Sequence, residues 1–319
     1  MNIINLNSSK KRCLVLGGKG FIGSHLVHRL AGIGFIVRIF DRPAGCADNV
    51  IEFENSVEIY KGDFVNESDL AAALDGVDYI FHLVSTTTPK TSNDNPLYDV
   101  ETNLVGTLKL LDLVRKDKNI RLIFISSGGT VYGIPNVFPI PEEHSTKPIC
   151  SYGICKLTIE NFLYAYNHLY GLDYVVLRVS NPYGERQNPN AIQGAVSVFM
   201  LKMLEQKKIT IWGDGTVRRD FIYIDDVVDA LVMAMRQDLV NRVFNVGSGV
   251  ALTLNGLVRA MEKITGSSST VEYLPARGLD VPVNYLDISR AGKEMDWIPK
   301  TSLSDGLART WSWFISEYR

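Results

Sequence analysis

The chain has 319 residues, 46% hydrophobic and 21% charged, enough to bury a large core in one α/β domain or two intimately packed ones. A formal net charge of −2 gives no electrostatic case for nucleic acid or an anionic membrane surface. No apolar run approaches the roughly 20 residues that span a bilayer, so no membrane insertion is expected. Met1–Arg12, interrupted by Asn5, Asn7, Ser8 and Ser9, reads as a polar tail and not a signal peptide. The cysteines Cys13, Cys46, Cys150 and Cys155 are scattered without a C-x-x-C pair and read as thiols of a reducing cytoplasm. His25 and His28 lack a third ligand, so no metal site is expected.

The stretch Cys13–Gly23, CLVLGGKGFIG, joins a short apolar run to three glycines, Gly17, Gly20 and Gly23. A helical pattern follows at once through Phe21, Ile22, Leu26, Val27 and Leu30. Strand, glycine turn and helix N-terminus in that order suit a pyrophosphate, because glycine lets the backbone come close and the free N–H groups attract an anion. A second apolar run, Phe35–Phe40, ends in Asp41, where a carboxylate can hold an adenosine ribose 2′-OH. An acid at that place favours NAD over NADP, although Arg42 stands next to it.

Further along, Val57–Tyr60 forms a third strand ending in Lys61-Gly62-Asp63. Asp63 is expected to contact adenine; its alternative is a cap for the helix near Glu67. Asp78–Val84 is a fourth strand followed by the hydroxyl-rich loop Ser85–Thr88, whose hydroxyls hint at a polar pocket. A long helix follows, with Val100, Leu104, Leu108 and Leu111 near helical spacing. Arg121–Ile125 is the fifth strand, running into Ser126-Ser127-Gly128-Gly129-Thr130-Val131-Tyr132-Gly133. A helix over Ser151–Tyr170 and a sixth strand over Tyr174–Val179 complete the alternation, which predicts a doubly wound parallel sheet. Beyond Ser180 the rhythm breaks. Ile222–Ile224 reads as a return to the sheet, and Leu252–Thr265 and Ser302–Ile315 read as helices of a smaller, mainly helical C-terminal lobe. The division expected is residues 11–180, with a return over about 220–248, for the cofactor, and 181–319 for the substrate.

Tyr152 and Lys156 stand four apart on one helix and so share a face. A phenol titrates near 10, and an ammonium one turn away, with a positive nicotinamide ring, lowers that value toward the working pH. Such a tyrosine can take a proton from a sugar hydroxyl while hydride leaves the same carbon.

With these residues in order, the chain resembles the extended short-chain dehydrogenase/reductases, specifically the NAD-dependent nucleotide-sugar epimerases/dehydratases that include UDP-glucose 4-epimerase. The resemblance runs from about Arg12 to the C-terminus. It rests on GGKGFIG, Asp41, Gly62-Asp63, His82-Leu83, Asn103-x-x-Gly106-Thr107, SSGGTVYG, Ser151-Tyr152-x-x-x-Lys156, Asn181-Pro182-Tyr183-Gly184, and Gly213-Asp214-Gly215 leading to Arg219-Asp220-Phe221. It implies a Rossmann domain, NAD, a UDP-sugar substrate and a homodimer through the helices around Pro96–Arg115 and Ser151–Tyr170. It implies Tyr152 as base, and Lys156 as its tuner and nicotinamide-ribose ligand. NAD contacts are implied at Gly17, Gly20, Phe21, Ile22, Gly23 and Asp41, and further at Asp63, Phe64, Leu83 and Asn103. Substrate contacts are implied at Ser85, Ser127, Tyr152 and Asn181, and at Arg219 and Arg277 for phosphate or uridine. The alternative for Arg219 is a surface ion pair with Asp220.

One departure bears on the reaction. The usual catalytic-hydroxyl position, five before the glycine of Tyr132-Gly133, holds Gly128, so the role falls to Ser127 with Thr130 as fallback. Related 4,6-dehydratases place Asp-Glu directly after the hydroxyl residue; Gly128 and Gly129 stand there and disfavour dehydration. The expected activity is therefore 4-epimerisation of a UDP-hexose through a 4-keto intermediate. A 4-ketosugar reductase or UDP-uronate-modifying enzyme is the alternative, and a non-enzymatic nucleotide binder is opposed by the intact Tyr152–Lys156 pair.

Overall fold

Strand residues divide by parity onto two faces of one sheet, as the pleat requires. Cys13 and Val15, Val37 and Ile39, Ile123 and Ile125 belong to one buried cluster, while Leu14 and Leu16, Phe40, Leu122 and Phe124 belong to the other. Both faces are covered, so the strands are near-continuously apolar and not alternating. In the computed structural model, which describes residues 11–43, 47–115, 117, 119–190, 194–276, 278 and 281–319, seven strands form this sheet. They are β1 Arg12–Leu16, β2 Ile36–Asp41, β3 Glu58–Lys61, β4 Tyr79–His82, β5 Arg121–Ser127, β6 Asp173–Val179 and β7 Val243–Val246. The order is β7-β6-β5-β4-β1-β2-β3 with every pairing parallel. The doubly wound sheet read from the sequence is thus present, with its switch point between β1 and β4, where such sheets bind ligands at their carboxyl ends.

Helix α1 (Phe21–Gly32) follows β1, α2 (Glu67–Ala73) follows β3, and α3 runs from Pro96 to Val114 before β5. The apolar spacing of α3 predicts a continuous α-helix. It is instead α-helical at Pro96–Asp99, π-helical at Val100–Val105 and α-helical again at Gly106–Val114. Such a widened turn re-aims side chains and is common at functional sites. Helix α4 (Ser151–Tyr170) leads to β6 and ends in Gly171, whose φ of +76° provides the left-handed cap.

The return to the sheet differs from the sequence reading. Phe221–Tyr223 pairs in parallel with Asn181–Tyr183 in a separate two-stranded sheet, and the strand that rejoins the main sheet is β7, beside β6. Asn245 interrupts the apolar run of β7, which hides it in the sequence. Its buried side chain is satisfied by the Tyr132 hydroxyl at 2.6 Å and the Ile140 and Asp287 carbonyls at 2.9 and 3.1 Å. The C-terminal region is mainly helical, with helices at Ala195–Leu204, Ile224–Met233, Leu254–Thr265, Ser289–Glu294 and Leu303–Tyr318. Among the described residues no helix is long and apolar enough to cross a membrane.

Candidate active site

The turn after β1 is shaped for close approach. Gly17 has φ of +81° and donates its N–H to the Phe40 carbonyl at 2.9 Å. A Cβ on Gly23 would lie 2.2 Å from the Gly17 carbonyl oxygen, so only glycine lets α1 pack on the turn. Gly20 is the N-cap of α1 and offers no side chain, and no acid in the first turn opposes an anion at this positive helix end. Phe21 and Ile22 are half-buried in that first turn. Asp41 closes β2 with its carboxylate fixed by two backbone donors, Lys19 N and Arg42 N, each at 2.9 Å. A bare glycine cradle with an immobilised acid beside it fits a dinucleotide whose ribose 2′-OH is free.

Three neighbouring positions divide. Asp63 is exposed at the end of β3, where its Oδ1 accepts from Val65 N at 3.1 Å. It does not cap α2. That role belongs to Asn66, which accepts from Ser68 N and Asp69 N. Phe64 is buried, with its ring 5.0 Å from that of His82 and against Gly106, so its side chain belongs to the core and only its backbone can meet a ligand. Leu83 continues β4 by donating its N–H to the Leu16 carbonyl at 3.1 Å.

Helix α4 carries Tyr152 and Lys156 with its first turn fixed from outside. The N-cap Cys150 makes no side-chain hydrogen bond; the Ser151 and Tyr152 N–H groups donate instead to Asn93 Oδ1 and Ser92 Oγ, at 2.9 and 3.0 Å. Lys156 Nζ lies 5.6 Å from the centre of the Tyr152 ring and 4.7 Å from that of Phe124, and donates to the Ile125 carbonyl at 2.9 Å. Burial pulls the lysine down to about 8, against the charge of Asp99. Burial also pushes the Tyr152 phenol up to about 12, with a hydrogen bond to Ser85 pulling the other way. The lowering expected from the sequence was that of Lys156 together with a positive nicotinamide ring. The ammonium sits over the ring and bonds to a carbonyl, so in the protein by itself desolvation outweighs it.

The hydroxyls of the loop after β4 are turned inward and hold it to the π segment. Thr86 N donates to Asn103 Oδ1 at 3.0 Å, Thr86 Oγ1 bonds Thr102 Oγ1, Thr87 Oγ1 donates to Asp99, and Thr88 pairs with Thr91. Of the four, Ser85 is the exposed residue. The polar pocket expected from this loop therefore reduces to Ser85. Asn103 Nδ2 donates to Asp99 Oδ1 at 2.9 Å, so this asparagine is a buried strut of the π segment. Asp99 itself escaped the sequence reading, although its spacing four residues before Asn103 on a helix was visible.

At the end of β5, Ser127 is half-buried and its hydroxyl makes no hydrogen bond among the described residues, whereas the Thr130 hydroxyl is buried without a partner. A Cβ on Gly128 would fall 2.6 Å from Leu286 Cδ1 and 3.0 Å from the Arg178 carbonyl oxygen, while one on Gly129 would meet only Ser127 Oγ at 3.9 Å. Asn181 Nδ2 donates to the Asp220 carbonyl at 2.9 Å. Arg219 donates to the Arg218 and Val281 carbonyls at 2.9 and 2.6 Å, and the Asp220 carboxylate is taken by Ser248, Gly249 and Leu286. Arg277 lies outside the described residues. His25 Nε2 pairs with the Glu185 carbonyl at 2.9 Å, and among the described residues no group of three or more His, Cys, Asp or Glu is arranged to hold a metal ion.

A sheet of this order with a tyrosine–lysine pair on the helix between β5 and β6 is the frame of a dinucleotide-dependent enzyme. The chain belongs to the NAD dependent epimerase/dehydratase family, whose model matches residues 13–247, and its cofactor is NAD. It is similar to UDP-glucose 4-epimerase of Mycolicibacterium smegmatis, 36% identical over 308 residues, covering 95% of this chain and 98% of that one. The crystal structure of UDP-glucose 4-epimerase from Thermotoga maritima with UDP-glucose is 37% identical, covers 97% of this chain and 100% of its own, and has a TM-score of 0.92. UDP-glucuronic acid 4-epimerase from Bacillus cereus, solved with UDP-glucuronic acid and NAD, is 30% identical over 96% of this chain and 100% of its own, with a TM-score of 0.87. These relatives are UDP-sugar epimerases, and the chain is an isomerase-type enzyme of their family.

Proposed function

We propose that the protein interconverts the C4 epimers of a UDP-hexose, UDP-glucose/UDP-galactose or their N-acetyl forms. The observation that carries this reading is the end of β5. Ser127 offers a half-buried hydroxyl that bonds no described residue beside two glycines that carry no carboxylate for the elimination of water, and a Cβ at Gly128 would meet Leu286 Cδ1 at 2.6 Å. Ser127 hydrogen-bonds the sugar 4-OH and Tyr152 takes its proton, returning it when the 4-keto sugar has turned its other face. When bound, NAD+ would supply the hydride acceptor and, once reduced, the donor, with a positive charge that would oppose the effect of burial on the Tyr152 phenol. Lys156 holds the phenolate form and the nicotinamide ribose; Gly17, Gly20, Gly23, Asp41 and Asp63 hold the rest of the cofactor. Asn181, Arg219 and Arg277 hold the UDP diphosphate and uridine.

In this reading residues 11–180, with 220–248, bind the cofactor and 181–319 the nucleotide sugar. A homodimer is supported by Leu97, Ile154 and Tyr164, apolar side chains 66%, 52% and 66% exposed on the two helices concerned. The three described cysteines, free and buried, suit a cytoplasmic protein.

The test is incubation of purified protein, without added cofactor, with UDP-glucose, UDP-GlcNAc and UDP-glucuronate in turn, read by proton NMR of the anomeric region. A C4 epimer of either hexose establishes the reading. Conversion of UDP-glucuronate alone transfers the protein to the uronate branch, which has a relative named UDP-glucuronate 4-epimerase at 30% identity. Activity only with NADPH and a 4-ketosugar makes it a reductase.

A further inference from the structure

Asp99 is a carboxylate at 0% exposure, at the end of the turn Pro96–Asp99, that the proposed chemistry leaves without a task. Its partners are neutral donors. Oδ1 accepts from Thr87 Oγ1 and from Asn103 Nδ2 at 2.9 Å, Oδ2 accepts from Ser151 Oγ at 2.7 Å, and the Cys155 thiol is hydrogen-bonded to it as well. Each donor except Asn103 neighbours the reacting pair. Ser151 precedes Tyr152, Cys155 precedes Lys156, and the Thr87 carbonyl accepts from Ser85 Oγ at 3.0 Å, Ser85 being a neighbour of the Tyr152 phenol. A buried carboxylate held only by neutral donors acts on its neighbours across a medium that screens poorly.

The other ionisable groups around the pair do not offset that charge. Cys150 and Cys155 are thiols that burial pushes up, so they stay neutral. His82 on β4 is held neutral, lowered to about 3 by burial. Glu160, one turn beyond Lys156, is paired with Arg178 at 2.6 Å. Lys156 is left as the cation that answers Asp99.

We propose that Asp99 is a positioning residue for the Tyr152–Lys156 pair: its buried carboxylate clamps the first turn of α4 to the Ser85–Thr88 loop and the π segment, and its charge acts on Lys156. The inference rests on the reading of Tyr152 and Lys156 as the reacting pair. Asn at this position keeps the size and still accepts from Thr87 and Asn103, but it puts an amide donor where Oδ2 accepts from Ser151 and removes the charge.

In the NAD-loaded enzyme, Asp99→Asn is expected to lower kcat about 10- to 100-fold with KM little changed, the signature of a displaced reacting pair. Both limbs of the pH profile of kcat move to lower pH by about one unit, because the anion raises the proton affinity of both Tyr152 and Lys156. Loss of thermal stability with the limbs in place makes Asp99 a purely structural anchor and overturns the proposal. Ser151→Ala keeps the charge and cuts the tether to α4. It lowers kcat with the limbs unmoved if the clamp is real, and an unchanged kcat refutes the clamp even where Asp99→Asn fails to fold. A readout free of turnover is NMR of protein labelled at the lysine 13Cε, with the Lys156 signal assigned through Lys156→Met. Its midpoint falls in Asp99→Asn, and an unmoved midpoint refutes the electrostatic half of the proposal whether or not UDP-hexoses are epimerised.

Discussion

Lys156 Nζ stands 5.6 Å above the Tyr152 ring and donates its hydrogen bond past it, to the Ile125 carbonyl. The lysine therefore acts on the phenol through its field and not through a direct bond. Tyr152→Phe removes the proton acceptor and leaves this geometry standing, so turnover is expected to fall by about three orders of magnitude or more while bound NAD is retained. Lys156→Met removes a buried cation that costs stability when charged, and with it the bond to Ile125. These effects oppose each other, and its melting temperature stays within a few degrees of wild type while turnover is lost. NMR of UDP-sugar turnover and differential scanning calorimetry check the two variants together. A Tyr152→Phe protein that still turns over removes Tyr152 from the mechanism.

Gly23 tests the cofactor cradle separately from the chemistry. A methyl group there would sit 2.2 Å from the Gly17 carbonyl oxygen and push α1 off the turn. Gly23→Ala is expected to purify without NAD, seen as a lower ratio of absorbance at 260 nm to that at 280 nm. Its secondary structure should stay close to wild type by circular dichroism. Normal cofactor content in a folded Gly23→Ala protein would show that the cradle does not hold the pyrophosphate.

Features legible in the sequence were those written in consecutive residues. The glycine turn, Asp41 at the end of β2 and the four-residue spacing of Tyr152 and Lys156 each follow from local backbone geometry. The sheet followed from its alternating apolar runs. Residues whose roles depend on distant partners were not legible. Asp99 is one acid among many until Thr87, Asn103 and Ser151 converge on it, and the π turn that brings them there has no apolar signature of its own. The strand β7 was hidden because a buried asparagine needs three specific partners, which only the folded chain supplies. The depth at which Tyr152 is buried, which raises its phenol in the protein by itself, was likewise not legible, because spacing reveals the cation and not its surroundings.

Behind the site, Glu160 of α4 meets Arg178 of β6 through three contacts between 2.6 and 3.2 Å, and both side chains are less than 9% exposed. Ser126 donates to the same carboxylate and Tyr132 accepts from the guanidinium at 3.0 Å. Removing one partner strands a buried charge, so Glu160→Ala should lose about 3–5 kcal/mol in urea unfolding. A double replacement of both residues by apolar ones should recover much of that loss. Equal losses in the single and double variants would show that the pair's charges do not matter.

His82 sets an acid limit on the fold. Its folded value of about 3 lies below the ordinary value of 6.5, chiefly through burial and secondly through Lys156. His25 is lowered to about 4, again mainly by burial. The unfolded chain therefore binds more protons between those values and about 6.5. Stability is fully present above about 6.5 and is lost as pH falls toward 3, by up to about 1.4 kcal/mol per pH unit for each histidine. Urea unfolding at pH 7, 6, 5 and 4 should show this slope, and His82→Gln should flatten it. A wild-type stability constant from pH 7 to 4 refutes the assignment.

Gly128 and Gly129 look interchangeable in sequence, and the structure separates them. An aspartate at 128 would drive its Cβ to 2.6 Å from Leu286 Cδ1 and 3.0 Å from the Arg178 carbonyl oxygen, and would bury a charge against Leu286. A glutamate at 129 would start from open space, with Ser127 Oγ at 3.9 Å as its nearest contact. Gly128→Asp is therefore expected to be insoluble or to melt at least about 10 °C lower, while Gly129→Glu folds with nearly unchanged melting temperature. On the proposed reading Gly129→Glu should also lose epimerase activity, because its carboxylate would stand beside the Ser127 hydroxyl assigned to the sugar. Differential scanning fluorimetry orders the two variants. If Gly128→Asp proves as stable as wild type, the Leu286 side chain can withdraw, and steric exclusion of a carboxylate at this position is refuted.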